Sequence, residues 1–488
     1  LIPQVKAAKH GLQRDPTILR ADPSRVLLRP FIPGDEHRIA GIVSRIMALT
    51  EPETRALLSE VCREFSKRHQ NIGQKFLERS DEVRAEIGMT ADLSEERRKL
   101  IGSYFLAEYS LEAAALFNPS MMRHPDQSGL SPGDFRFILS LRATGEGHIS
   151  SITFRAGILR ADGLIEVESP HGFLVEPRQI PNPLYEKGLF SRTVLELGLS
   201  CEFTQRVIDK LDDKFSLGDL RARLDAEREL ANEAEAHGIW TLAKSNHEVQ
   251  FQPEQKLSER ILFPATPSQR NGIEDARFVC FHNQRGPCTY YATFTAYDGK
   301  VIMPELVETM DFLRFRFLTL NGPAARNKGM ALFPRKIQGR YAMLGRQDNE
   351  NIFLMFSPNV HFWNESQVLL KPKYPWELIQ MGNCGSPIET EAGWLVLSHG
   401  VGPMRKYCIG AFLLDRDNPA KVLGRLREPL LMPNAAEREG YVPNAVYSCG
   451  SLIHNGRLII PYGLADQASG FATVPLGNVL SAMTPENN

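Results

Sequence analysis

Hydrophobic positions in this chain follow a helical period first and a strand period afterwards. Between residues 35 and 116, Ile39, Ile42, Val43 and Ile46 fall at i, i+3, i+4 and i+7, with Met47 next to the last, which puts them on one helix face. Thr50-Glu51-Pro52-Glu53 reads as a helix start: Thr50 can cap, Pro52 suits the first turn and Glu53 completes a capping box. Leu57, Leu58, Val61, Cys62 and Phe65 continue the stripe, while Arg63, Lys67 and Arg68 lie largely off it as a solvated face. After Phe117, short apolar and β-branched runs alternate with Gly, Pro, Asn and Asp turns, which predicts strands. Five runs share one shape: FILSLR (137–142), YATFTA (291–296), YAMLGR (341–346), WLVLSH (394–399) and LIIPYG (458–463).

The last four runs end at 296, 346, 399 and 463. A recurrence near ~50 residues with several strands per repeat predicts propeller blades rather than a two-sheet sandwich. The stretch from 142 to 296 is too long for one blade, and the charged, helical segment 203–246 fits an insertion, with Leu220, Leu224 and Leu230 on a loose stripe. The expected architecture is therefore an all-β five-bladed β-propeller over residues 117–480. An N-terminal helical region (1–116) and a helical insertion (about 203–246) are added to it. The apolar stripes of both helical parts need cover, either beside the channel mouth or in a homo-oligomer contact.

Composition narrows the classes of function. Lys plus Arg number 57 and Asp plus Glu 58, so no global field gathers nucleic acid or an anionic membrane. No apolar run approaches the ~18 residues of a membrane span, and the first residues lack the apolar core of a signal peptide. Seven cysteines, at 62, 201, 280, 288, 384, 408 and 449, occur without a CxxC. They are expected to be reduced thiols of a cytoplasmic protein, and no clustered Cys and His is read that would call for a metal.

The sharpest chemistry lies at Gly272-Ile273-Glu274-Asp275-Ala276-Arg277, just before a strand and hairpin. Consecutive strand residues face opposite ways, so only one of Glu274 and Asp275 is expected to enter a pocket, with Arg277 on the Asp275 side to hold it. Taken alone, this pattern favours an acidic turn closed by an arginine. Arg142 and Arg346 end strands and Arg326 precedes one, which together suggests a cationic mouth. The glycine-rich run 142–148 precedes no evident helix and is read as a blade turn rather than a nucleotide loop. Trp363, Trp376 and Trp394 read as packing between blades.

GIEDAR followed by YYATFTAYDG resembles the signature of glycoside hydrolase family 130, with Ala276 in place of a commoner proline. Further segments resemble that family in order: Phe117-Asn118-Pro119-Ser120, Ser140 to Ala143, Arg326-Asn327, Ala331 to Ile337 with Arg346, Gly393 to Leu395 with His399, Gly440 to Asn444, and Tyr462 to Asp466. The resemblance implies a five-bladed propeller and an inverting enzyme that cleaves β-mannosides by phosphorolysis to mannose 1-phosphate. A β-mannosidase using water is the alternative, and a non-catalytic carbohydrate-binding propeller the third. The implied partners are a β-mannoside disaccharide or oligosaccharide and inorganic phosphate as co-substrate, with no cofactor. Asp275 inherits the general-acid role, Asn118, Ser120, Arg142, Asp298 and Asp466 sugar contacts, and Arg326, Arg346 and His399 phosphate contacts. Glu389 stands where the phosphorylases place a phosphate-binding lysine. It would repel phosphate, or serve as the base for water in a hydrolase.

Overall fold

A computed structural model describes residues 9–180, 184–196, 199–227, 233–283, 287–297, 299 and 302–486. The helical pattern near the N-terminus forms four helices, Glu36–Met47, Glu51–Phe65, Ile72–Glu86 and Glu95–Ser103. Thr50 and Glu53 make the expected capping box, the Thr50 N–H donating to Glu53 Oε2 at 2.8 Å. Ile39, Val43, Ile46, Leu58, Phe76, Val83 and Leu100 fill the core of this layer. Buried Arg97, on the fourth helix, donates to the carbonyls of Ile46, Met47 and Leu49 and so satisfies the open end of the first.

The rest is mostly β, in several sheets. Five antiparallel runs succeed one another along the chain. The first holds Ala115–Arg123, Phe135–Thr144, Ser150–Leu159 and Ile165–Val167. The second holds Gly272–Phe281, Thr289–Tyr297, Ile302–Thr309 and Arg314–Thr319. The third spans Ala331–Leu332 to Gln367–Leu370, and the fourth is built on Gly393–Gly402 and Lys406–Leu414. The fifth pairs Arg457–Leu464 with Ala468–Pro475. Each of the five runs singled out in the sequence lies in or across one of these strands. The first and last groups meet: Ser120 bridges Gly450 in parallel, and the Met121 N–H donates to the Gly450 carbonyl at 3.1 Å.

Three expectations need correction. The N-terminal region is not all helix: Gln13–Leu19 is a strand that pairs with Ala468–Pro475, so chain start and chain end share one sheet. The insertion begins earlier than 203, with helices Lys187–Glu196, Glu202–Asp209, Leu217–Ala226 and Glu233–Ser245 around their own core of Phe190, Val194, Phe203, Leu220 and Leu224. Leu230 lies outside the described residues. The cysteines are not all free thiols, because Cys280 and Cys288 form a disulfide. Trp363 and Trp394 are fully buried, in line with packing. Among the described residues no helix is long and apolar enough to cross a membrane.

Candidate active site

A cavity of about 160 Å³ gathers Asn118, Arg142, Glu274, Asp275, Arg277, Lys328, Arg346, Arg405, Tyr407, Tyr447 and Asp466. These come from all five strand groups or the loops between them. The strand Gly272–Phe281 carries the central carboxylate. Its register against Thr289–Tyr297 shifts between Glu274 and Arg277, and Asp275 takes the left-handed backbone conformation at φ 54°. A bulge of this kind breaks strict alternation and re-aims a side chain. As a result Glu274 and Asp275 both line the cavity, against the expectation that only one would. A second shift, between Phe117 and Ser120, accompanies Asn118 at φ 50° and turns its amide toward Asp275.

The two acids are held by a tight set of donors. Asp275 Oδ1 accepts from Asn118 Nδ2 at 2.7 Å and from Arg142 Nη1 at 3.3 Å. Arg142 Nη2 donates to Glu274 Oε1 at 2.7 Å, and its Nε to Ser150 Oγ at 2.8 Å. The guanidinium also lies over the Phe117 ring, 5.0 Å from its centroid. Arg277 Nη1 donates to the Asp275 carbonyl at 3.1 Å and Nη2 to the Tyr447 hydroxyl at 2.6 Å. Burial pushes the Asp275 carboxyl up, but Arg142, Arg277, the Asn118 amide and Lys328 together outweigh it and hold the group below the usual carboxylate range. Asp466, on a left-handed turn at φ 53°, behaves oppositely. Burial and then the Asp275 charge push its carboxyl up to about 6, against the pull of Arg142 and Arg405.

Cations line the rest of the cavity. Buried Arg346 donates from Nη1 to His399 Nε2 at 3.0 Å. Burial, then Arg346 and Arg277, hold His399 well below the ordinary imidazole value, so it is neutral and accepts this bond. Gly382 leaves room for the pair: a Cβ there would sit 2.5 Å from His399 Cε1 and 3.1 Å from Arg346 Cδ.

The other sequence candidates fall elsewhere. Arg326 is exposed and does not line the cavity; the left-handed residue Asn327, at φ 63°, intervenes, and Lys328 lines it instead. His399 supports Arg346 from behind rather than lining the space. Ser120 is fully buried and structural, its Oγ accepting from the Phe278 N–H at 3.1 Å. Glu389 is not brought to this cavity: its carboxylate accepts from Arg335 Nη2 at 2.7 Å and Arg416 Nε at 3.0 Å, and it lines a different one. Asp298 lies outside the described residues. Lys328, Arg405, Tyr407 and Tyr447 went unnoticed in the sequence; for Lys328 the signal was its place two residues after Arg326.

A family model described as beta-1,4-mannooligosaccharide phosphorylase matches residues 228–485. A 1,2-beta-oligomannan phosphorylase from Thermoanaerobacter sp. is 32% identical over 232 residues, covering 46% of this chain and 75% of that protein. A beta-1,4-mannooligosaccharide phosphorylase from Ruminococcus albus is 33% identical over 215 residues, 41% of this chain and 62% of its own length. Among solved structures, a beta-1,2-mannobiose phosphorylase from Listeria innocua in complex with beta-1,2-mannobiose aligns with 76% of this chain and 92% of its own. The TM-score is 0.46 and the identity 22%.

Proposed function

The chain belongs to glycoside hydrolase family 130 and is a carbohydrate-active enzyme of it, and from that premise we propose that it cleaves β-mannosides by phosphorolysis, with inversion, to mannose 1-phosphate. The observation that carries the reading is the composition of the cavity: Arg142, Arg277, Lys328, Arg346 and Arg405 outnumber Glu274, Asp275 and Asp466. Phosphate arrives as an anion and needs charge-assisted donors rather than a base. Water would need a base, and Glu389, the candidate for that task, is tied to Arg335 and Arg416 outside the cavity.

In this reading Asp275 is the general acid. A phosphate oxygen bonds to the anomeric carbon from one ring face, the glycosidic C–O bond breaks on the other, and the leaving oxygen takes a proton that originates on Asp275. The ligand-free carboxyl sits below the usual range because cations surround it. Bound phosphate offsets those cations, which raises the carboxyl toward a value at which it can carry a proton. Asn118 and Arg142 orient it, and Asp466 takes up sugar hydroxyls. Arg346, set by His399, and Lys328 hold phosphate, with Lys328 in the part first given to Arg326. The five antiparallel groups are read as five blades around the channel that holds the cavity, with residues 117–480 as the catalytic domain.

The test is to incubate a β-mannoside with and without inorganic phosphate and to quantify mannose 1-phosphate against free mannose. Strict phosphate dependence with α-mannose 1-phosphate as product is expected. Release of free mannose at the same rate without phosphate overturns the reading in favour of a β-mannosidase.

A further inference from the structure

At the far end of the strand that carries Asp275, three soft or borderline ligands converge. Cys280 is the last residue but one of the strand, His282 follows its end, and Cys288 stands just before the partner strand Thr289–Tyr297. Antiparallel pairing sets Cys280 opposite Tyr290, which brings the Cα atoms of Cys280 and Cys288 to 6.0 Å. The two sulfurs and a ring nitrogen of His282 all lie within 4.8 Å of one another. Ligand atoms around a tetrahedral zinc stand roughly 3.5 Å apart, so modest side-chain rotation closes the gap. The His282 backbone is pinned by its N–H to the Pro334 carbonyl at 2.7 Å, while its exposed ring makes no hydrogen bond or ion pair among the described residues.

We propose that this hairpin end, once its cysteines are reduced, is a zinc site with ligands Cys280 Sγ, Cys288 Sγ and one imidazole nitrogen of His282. Two thiolates and an imidazole form a donor set that zinc accepts readily, with the fourth position left to water. The sulfurs are joined as a disulfide in the structure. A phosphine reductant opens it: the phosphine becomes its oxide with the oxygen of water, and the two hydrogens of that water leave on two thiols. Zinc then replaces both thiol protons. Cys280 is five residues from Asp275, about 16 Å along an extended strand. The metal therefore clamps the hairpin and takes no part in glycosidic cleavage. Cys280 and His282 also line a separate cavity of about 900 Å³, so the site is open to solvent.

The probe is Co²⁺, titrated into the tag-free full chain after phosphine reduction, followed by thiolate-to-cobalt charge-transfer absorption. One Co²⁺ per chain, displaced by one Zn²⁺ with a raised thermal midpoint, is expected. Cys280→Ser should abolish the band, exposed His282→Ala should weaken binding at least tenfold, and Cys62→Ser should leave both unchanged. The unsubstituted chain decides the matter even where a variant misfolds. A reduced chain that develops no thiolate band holds a disulfide only and overturns the proposal, as does a band that survives intact in Cys280→Ser.

Discussion

Asp275→Asn separates charge and proton from shape. Asparagine tolerates the left-handed backbone at φ 54° almost as well as aspartate, and its Oδ1 can still accept from Asn118 Nδ2 and Arg142 Nη1. A positioned general acid contributes ~10²–10⁴-fold, or about 3–5 kcal/mol of barrier, so kcat on an unactivated mannoside should fall by that factor. The KM for phosphate should hold or fall, because Arg142, Arg277 and Lys328 lose a neighbouring negative charge. A mannoside with an activated aryl leaving group needs little proton assistance and should recover most of the loss. Stability adds an independent readout. The folded carboxyl is depressed, so its charge stabilises the fold above the unfolded value near ~3.9 and that stability is lost as pH falls. The variant should accordingly melt lower than the parent at pH 7 and alike at the acid end. Near-normal turnover of the unactivated mannoside, or an equal loss on both substrates, refutes Asp275 as the acid.

Arg346→Ala removes a charge-assisted donor worth ~1.5–3 kcal/mol and should raise the KM for phosphate at least tenfold with a smaller effect on the KM for mannoside; equal effects on both would deny it a phosphate role. Glu389→Gln should leave phosphorolysis within about twofold and stability within ~1 kcal/mol, since partly exposed ion pairs contribute little, and a loss of activity beyond tenfold would bring Glu389 back as a catalytic group. Asp466 has a carboxyl raised to about 6, so its stabilising protonation is complete below ~3.9 and lost as pH rises through 6; Asp466→Asn should gain roughly 2–3 kcal/mol at pH 7 and nothing at pH 4, read by denaturant midpoints at both. Gly102→Ala places a Cβ 1.8 Å from the Phe76 carbonyl oxygen and should force apart the helices Ile72–Glu86 and Glu95–Ser103, lowering the thermal midpoint by several degrees through ~1–3 kcal/mol of overpacking.

What could be read from the sequence was whatever depends on local pattern. The capping box at Thr50, the helical stripe through Ile39, Val43 and Ile46, and the five strand runs are consequences of spacing, and each appears in its place. The site motif was legible because it is contiguous. Two of the failures share a physical source, a single residue that changes the direction of the chain. Parity along the strand allowed only one of Glu274 and Asp275 into the pocket, and a bulge admits both. Parity cannot separate Arg326 from Lys328 either, and the left-handed Asn327 lies between the one outside and the one inside. Arg405, Tyr407 and Tyr447 belong to segments joined only by tertiary packing, such as the Tyr407 N–H to Asn444 carbonyl bond at 3.0 Å. The strand Gln13–Leu19 was missed for the same reason, since its partner residues lie 450 or more positions away.

Four left-handed non-glycine residues gather at the site. Asn118, Asp275, Arg405 and Asp466 all line the one cavity, and all have φ between 50° and 54°. A non-glycine residue in that region costs of order 1–3 kcal/mol unless the surroundings fix it. Asn and Asp bear the least of this cost, because their short polar side chains bond locally in that conformation. Regular strands aim alternate side chains at one space, so two neighbours such as Glu274 and Asp275 cannot share a pocket without such a departure. The strain is thus the geometric condition for crowding carboxylates and guanidinium groups into about 160 Å³. The ion pairs hold it in place: Arg142 binds Glu274 and Asp275 together, and Arg277 grips the Asp275 carbonyl at the left-handed residue itself. Charge pairing and backbone strain therefore depend on each other here, and losing Arg142 would release both the acid's environment and the bulge that presents it.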